Sequence, residues 1–505
     1  MSAAEHHDAA ETARLARGGR TSFLGYVLRL GARIPFLFIA GRLYGADAVG
    51  RFAYASMVVE LVAMFATLGL KRGLAEAMVK RGNDAGDEAS AAETHALYDA
   101  LVVSMLASLL GALVLIALPA IVFPTGEVTL FDRLFPLIIL AIVASDIGLA
   151  ALAFRYDIAT SVRARSIVEP WALSLVAVAL AFTALQPEGL LIAYAASMLA
   201  AAVASLLPIR RRFARAAGWR PEPARLWHLA RTNLPLAGAD LTEWSARRLD
   251  IFVLGRLASP EIVGIYWMAQ QVASLPQRVK SSFDPILAPV LATNLAAGNT
   301  AKVAAHIRQI SFWVLAGQLA VVLVLGLPGK AWLGLFGPVF PAGFLALTLL
   351  LSAELFASQA AVAESALIYI ARHANLVWSV IGLGVQLALT LILVPLYGGA
   401  GAAGALAAGA LLLSVVKSRL LTDRLGLPVS GWRWVLLLAA LATVALGVVL
   451  WRTPEWFQLT FGLAGILGLF GSIVWRWGFK GADRLLFARR LKKLEAEAGL
   501  ADQPS

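Results

Sequence analysis

The 505-residue sequence predicts an all-α membrane protein with fourteen transmembrane helices, and three observations predict it. First, 60% of the residues are hydrophobic and only 15% charged, against roughly 25% charged in soluble proteins. Second, the apolar runs are about 20 residues long, which suits spanning helices rather than the ~10-residue alternation of barrel strands. Third, the stretch Gly41–Ala55, GRLYGADAVGRFAYA, is echoed by Gly255–Ala269, GRLASPEIVGIYWMA, at an offset of 214 residues. At the same offset Ala32–Arg33 meets Ala246–Arg247 and Phe38 meets Phe252. A helix–turn–helix unit repeated half a chain apart points to two similar lobes.

The expected spans are 22–42, 48–70, 97–122, 133–154, 166–185, 189–209, 233–256, 262–289, 310–328, 341–368, 374–395, 399–418, 433–451 and 456–476. Proline and glycine mark several turns between them, as at Leu118–Pro119 and Pro395–Gly399. The expected organisation is an N-terminal tail (1–21), an N-lobe (22–209), an Arg-rich linker (210–231), a C-lobe (232–420), two trailing spans (432–477) and a basic tail (478–505). That tail interleaves Leu485, Leu486, Leu491 and Leu494 with basic residues, as in an amphipathic helix on the inner leaflet. The first 20 residues are polar and lack the apolar core of a signal peptide.

The net charge of +12 follows the membrane orientation. With the N-terminus inside, 31 basic residues fall on inside connections, Arg165 and Lys417 among them. The outside connections hold six: Arg42, Arg51, Arg133, Arg256, Lys330 and Arg452. This asymmetry places both termini in the cytoplasm and removes nucleic acid as the reason for the basic excess.

Six basic residues remain within the spans: Arg29, Arg33, Arg247, Arg248, Arg278 and Lys280. A charge at mid-membrane costs roughly 2.5–3.5 kcal/mol, so it faces protein or a wet cavity. Arg29 and Arg33 share a helix face at i, i+4, in a span with no acid. By the repeat, Arg33 corresponds to Arg247 and Arg29 to Glu243. These residues predict a positive cavity wall and form the candidate anion-binding set. Arg247 has an alternative in neutralisation by Glu243 and Asp250 on its own helix, and Arg278 and Lys280 in reaching the interface. Of the acids within spans, Glu60, Asp146, Glu243, Asp250 and Glu354 are candidates for ion coupling or charge pairing. Glu169, Asp240, Asp284 and Glu364 are the others.

Several chemistries have no residues to support them. Cysteine is absent, so there is no thiol nucleophile or iron–sulfur ligation. The histidines (6, 7, 95, 228, 306 and 373) show no metal-ligand spacing, and there is no P-loop or nucleophile elbow. No cofactor, metal or enzymatic activity is expected. The run Gly399–Gly409 suits close helix packing rather than phosphate binding.

Three features carry a resemblance. They are the paired GRL…VG-x-[FY] hairpins, Leu249–Gly255 (LDIFVLG) and Val394–Gly404 (VPLYGGAGAAG). Together they resemble the polysaccharide-transporter branch, the oligosaccharide flippases, of the multidrug/oligosaccharidyl-lipid/polysaccharide (MOP) exporter superfamily. The resemblance implies two six-helix lobes in a V around a central cavity, two trailing helices and alternating access. It implies a polyprenyl-pyrophosphate-linked oligosaccharide as substrate, moved from the cytoplasmic to the periplasmic leaflet of a bacterial inner membrane. A monomer is expected, with a polysaccharide polymerase and export machinery as candidate partners. Arginine suits the pyrophosphate through its rigid fork of donors. Lipid II flippases share arginines in the first span, and drug antiporters generally use cavity acids, so both stay as alternatives. A polymerase or ligase would need a sizeable outside loop with catalytic charges, and no outside connection is long enough.

Overall fold

The computed structural model describes residues 31–85, 89–126, 128–213, 218–283, 287, 291, 294–295, 297–480 and 483. Among them every regular element is helical. The chain divides into two compact units, Met1–Gly264 and Ile265–Pro504.

The first unit holds α1 (31–39), α2 (Gly45–Ala66), α3 (Leu70–Ala85), α4 (Ala89–Ala117), α5 (Ile138–Phe154), α6 (Glu169–Leu180), α7 (Gly189–Leu206) and α8 (Pro223–Leu257). The helix α9 (Pro260–Ala273) begins in this unit. A π-helical turn, Ala40–Tyr44, ends α1 and lets α2 fold back, with Phe36 and Phe52 meeting edge to face at 5.5 Å. Residues 223–231, expected in the linker, are the first turns of α8. They are fastened by Asp99 on α4, which is 1% exposed. Its carboxylate accepts from Arg225 Nε (2.7 Å) and Nη2 (3.0 Å), Arg81 Nη1 (2.6 Å) and Trp219 Nε1 (2.8 Å). The Asp99 hydrogen bond pushes the Arg225 guanidinium above its ordinary value, against its burial.

The repeat register persists in three dimensions. A Cβ on Gly50 would land on the Pro260 carbonyl oxygen and 2.9 Å from the Gly264 nitrogen. A Cβ on Gly264 would land on the Ala46 carbonyl oxygen and 2.9 Å from the Gly50 nitrogen. Position 46 corresponds to 260 and position 50 to 264, so the contact is self-complementary, as in an isologous interface. The repeated Val-Gly pair exists because two helix backbones touch there.

The second unit holds α10 (Thr300–Gly326), α11 (Phe344–Ile370), α12 (Arg372–Leu425), α13 (Trp434–Leu450) and α14 (Leu463–Ile473). The 54-residue α12 is a hairpin, broken at Gly398 (φ 55°, ψ −130°) three residues after Pro395. That φ lies where only glycine sits without strain. Gly382 faces Leu413 and Gly409 faces Gln386 across the arms, so the small-residue run allows close approach. The exposed Trp432, Trp434, Trp475 and Trp477 cluster in sequence at one end of α13–α14, and Trp451 and Trp456 at the other. The 17-residue α13 spans about 25 Å at 1.5 Å per residue, and exposed tryptophans at both its ends match the pattern of aromatic belts in membrane proteins.

Among the described residues eight helical stretches are long and apolar enough to cross a membrane, and two of them, Gly31–Asn83 and Arg372–Leu425, double back. The chain is a multi-pass membrane protein. Past α14, Asp483 is buried and accepts from Arg433 Nη1 (2.7 Å), Trp313 Nε1 (3.1 Å) and the Lys480 amide (2.9 Å). Burial alone would raise its carboxyl, but these bonds, led by that from Arg433, hold it below the ordinary carboxylate range. The rest of the expected amphipathic tail, and the N-terminal tail, lie outside the described residues.

Candidate functional site

The helices of the first unit surround a half-open cavity of about 550 Å3, lined by residues of α2, α3, α5, α6, α7 and α8. Glu60 comes from α2, Lys71 from α3, Asp146 from α5, Glu169 from α6, Tyr194 from α7 and Asp240 from α8. Arg165 enters from the segment between α5 and α6. There Tyr156 takes φ 57°, and Asp157 caps a short helix, Ile158–Val162, through the Thr160 amide. The chain then runs through a π-helical turn, Arg163–Val168, in which the Glu169 N–H reaches the Ala164 carbonyl five residues back. Pro170 has no N–H to offer the Ser166 carbonyl, so the ladder widens here rather than continuing at i−4.

The polar groups are paired in a chain. Arg165 Nη2 contacts Asp146 Oδ1, and its Nη1 donates to Glu169 Oε2 at 2.9 Å. Lys71 Nζ stands 3.4 Å from Asp146 Oδ2. The fully packed Tyr194 donates its phenol proton to Glu60 Oε1 at 2.8 Å. Arg72 Nε reaches Asp240 Oδ1 at 2.9 Å. Four carboxylates thus line the cavity against two cations, with Ile142, Leu149, Met64 and Met198 supplying apolar wall. This cavity is not the positive one expected from the sequence.

Of the candidate residues, the structure brings Glu60 and Asp146 together here. Arg33 is exposed on α1 and does not line the cavity. On α8, Arg248 is half-buried and Asp250 fully buried, also away from the lining. In the second unit Arg278 is exposed and Lys280 half-buried on a short helix, Gln277–Ser281, and Glu354 is half-buried on α11. Arg29, Asp284 and the side chains of Glu243 and Arg247 lie outside the described residues. Arg165, expected on a cytoplasmic connection, is a buried cavity residue; its i, i+4 spacing to Glu169 is the signal that could have found it. Tyr194 sits in an apolar run and carried no such signal.

Lys417, also expected at the inside face, is 2% exposed within α12. Its Nζ pairs with Glu364 Oε2 and donates to Ser379 Oγ, both at 2.9 Å, while Asn375 Nδ2 donates to Glu364 Oε1 at 3.3 Å. An apolar cavity of about 340 Å3 lies between α10 and the last helical segment, lined by Phe283, Trp313, Phe470 and Trp475 among others. Among the described residues no group of His, Asp and Glu is arranged to hold a metal ion.

Apolar helices in two units, with charged side chains gathered inside the first, define the class: a multi-pass membrane protein with a polar cavity. The fold matches "Lipid II flippase MurJ, inward closed conformation" with a TM-score of 0.69 at 12% identity, over 91% of this chain and 99% of that one. It matches an inward-facing multidrug resistance MATE family transporter of the MOP superfamily with a TM-score of 0.62 at 15% identity, over 79% of this chain and 94% of that one. No curated protein matches the sequence. The family described as "Polysaccharide biosynthesis protein" matches residues 15–294, more than half of the chain, and the protein belongs to that family, with the fold of the MOP superfamily.

Proposed function

We propose that the protein is a flippase that moves a polyprenyl-pyrophosphate-linked oligosaccharide, a repeat unit of O-antigen, capsule or exopolysaccharide, from the cytoplasmic to the periplasmic leaflet by alternating access. The observation that carries the reading is membership of the polysaccharide biosynthesis family in a chain whose fold matches a lipid II flippase. In this reading the chain crosses the inner membrane fourteen times, with six spans in each of the lobes 22–209 and 232–420, two more at 432–477 and both termini cytoplasmic. Arg29, Arg33, Arg247, Arg248, Arg278 and Lys280 form the path of the pyrophosphate, which their cationic forks and ammonium suit chemically. The apolar cavity beside α14 suits a hydrocarbon such as a polyprenyl tail.

The test is reconstitution in liposomes with a fluorescent polyprenyl-pyrophosphate disaccharide, reading its appearance on the opposite leaflet. Translocation that drops tenfold or more in Arg33→Ala and Arg247→Ala supports the reading; full activity in both removes the arginines from the path. A second reading, ion-coupled export of drugs or metabolites, draws on the acid-rich cavity of the first unit. Drug resistance conferred on a sensitised host, with no translocation of the lipid, would favour it.

A further inference from the structure

We propose that the cavity of the first unit is a saccharide subsite that accepts neutral and amino-bearing sugars and turns away uronic acids. The inference rests on the flippase reading and deepens it, because it says which part of the substrate this cavity holds. At about 550 Å3 the cavity lies within the range of small-molecule sites, ~300–1,000 Å3. It combines an apolar wall for a sugar's C–H face with charged groups that can accept or donate to hydroxyls.

The charge arrangement decides the class. Both cations on the lining are already engaged by carboxylates: Arg165 splits its two terminal nitrogens between Asp146 and Glu169, and Lys71 leans on Asp146 from the rim. Asp240 is met by Arg72. Glu60 has a neutral donor instead, the Tyr194 phenol, which takes up one oxygen's lone pair and brings no positive charge. A group entering beside Glu60 therefore meets an acceptor in a net-negative wall. A hydroxyl or an ammonium gains a hydrogen bond there, and a carboxylate meets repulsion in a partly desolvated space. The same argument sends the pyrophosphate elsewhere, so the head group is read in two places, sugar here and phosphate at other basic residues.

The test uses the full-length protein in nanodiscs and three soluble probes of similar size: chitobiose with free amines, N,N′-diacetylchitobiose and digalacturonate. Binding is read by isothermal titration at low and high salt. The expected result is that digalacturonate binds at least tenfold more weakly than the neutral probe, and that chitobiose binds at least as tightly as the neutral one. Glu60→Gln narrows the gap, and so does added salt in the unmodified protein, since screening weakens the repulsion. The salt series needs no variant and stands even where Glu60→Gln fails to fold. Equal or tighter binding of digalacturonate, a gap that salt leaves unchanged, or no binding of any probe overturns the proposal. These titrations use neither lipid nor transport. A protein that discriminates among the sugars yet translocates no lipid-linked one loses the flippase reading and keeps the subsite.

Discussion

The self-complementary contact at Gly50 and Gly264 gives the sharpest prediction. In each direction the nearest atoms to a new methyl are backbone, so neither neighbour can rotate out of the way. Carbon–oxygen contacts need about 3.3–3.6 Å, and the Gly50 methyl would sit 1.7 Å from the Pro260 carbonyl oxygen, so the helices must part by roughly 1.5–2 Å. Overpacking of this kind costs about 3 kcal/mol at the upper end of its usual range. Each Gly→Ala change returns about 1 kcal/mol of helix propensity, since both positions lie inside helices. Gly50→Ala and Gly264→Ala are each expected to destabilise by about 2 kcal/mol. The separation that admits one methyl admits the other, so the double variant incurs the clash once and gains propensity twice, a net of about 1 kcal/mol. Independent sites would give about 4 kcal/mol. The assay is denaturant-induced unfolding in mixed micelles, followed by tryptophan fluorescence, for all four corners of the cycle. Additive destabilisation would refute the reasoning, because it would mean that the two glycines do not share one contact.

Three further outcomes follow from buried charges. Asp99→Asn leaves Arg81 and Arg225 facing a neutral group and is expected to cost about 2 kcal/mol, an apparent melting shift of roughly 4–8 °C in detergent; a shift below one degree would deny the clamp its role. The Asp483 carboxyl is depressed in the folded state, so its contribution is fully present above the ordinary carboxylate value and is lost as pH falls through the lowered one. Asp483→Asn should accordingly be less stable than the parent by about 1–2 kcal/mol near pH 7, and the gap should close in acid; a gap independent of pH contradicts this. In the Lys417–Glu364 pair, Glu364→Gln strands a buried ammonium and should cost about 3 kcal/mol. Lys417→Met leaves Glu364, whose side chain is 37% exposed, able to hydrate, and should cost under about 1 kcal/mol; the opposite order in unfolding titrations would sink the argument.

The repeated hairpin was legible because it combines a conspicuous sequence echo with a backbone constraint: two chains touching need glycine on both sides. Helices of about 20 apolar residues were equally legible, as were turns such as Pro395–Gly399, within which the helix breaks at Gly398 with a positive φ. Arg165 and Lys417 were misplaced for one physical reason. A basic residue near the end of an apolar run reads the same whether its long side chain reaches water or folds back onto a carboxylate, and only the neighbours decide. Asp146 and Glu364 decide here, and both are distant in sequence. The contrast between a basic set expected in the spans and an acid-rich cavity has the same origin, since Arg165 reads as a loop charge in the sequence while its acidic partners, Asp146 and Glu169, read as residues within spans.

The π-helical turn before α6 makes the cavity depend on chain length as well as on residue chemistry. A regular helix advances 100° per residue, so removing one residue from Arg163–Val168 would restore an even ladder and turn the upstream segment by about that angle relative to α6. Ser161 would leave the cavity wall while Glu169 stayed in place, and the Arg165 fork would lose its aim at two acids on two helices. A deletion here that touched no charged residue would disassemble the charge chain, whereas many substitutions in the same turn would leave it standing. Relatives that differ by a single gap at this point are therefore expected to lack this charge chain, however similar the flanking residues look.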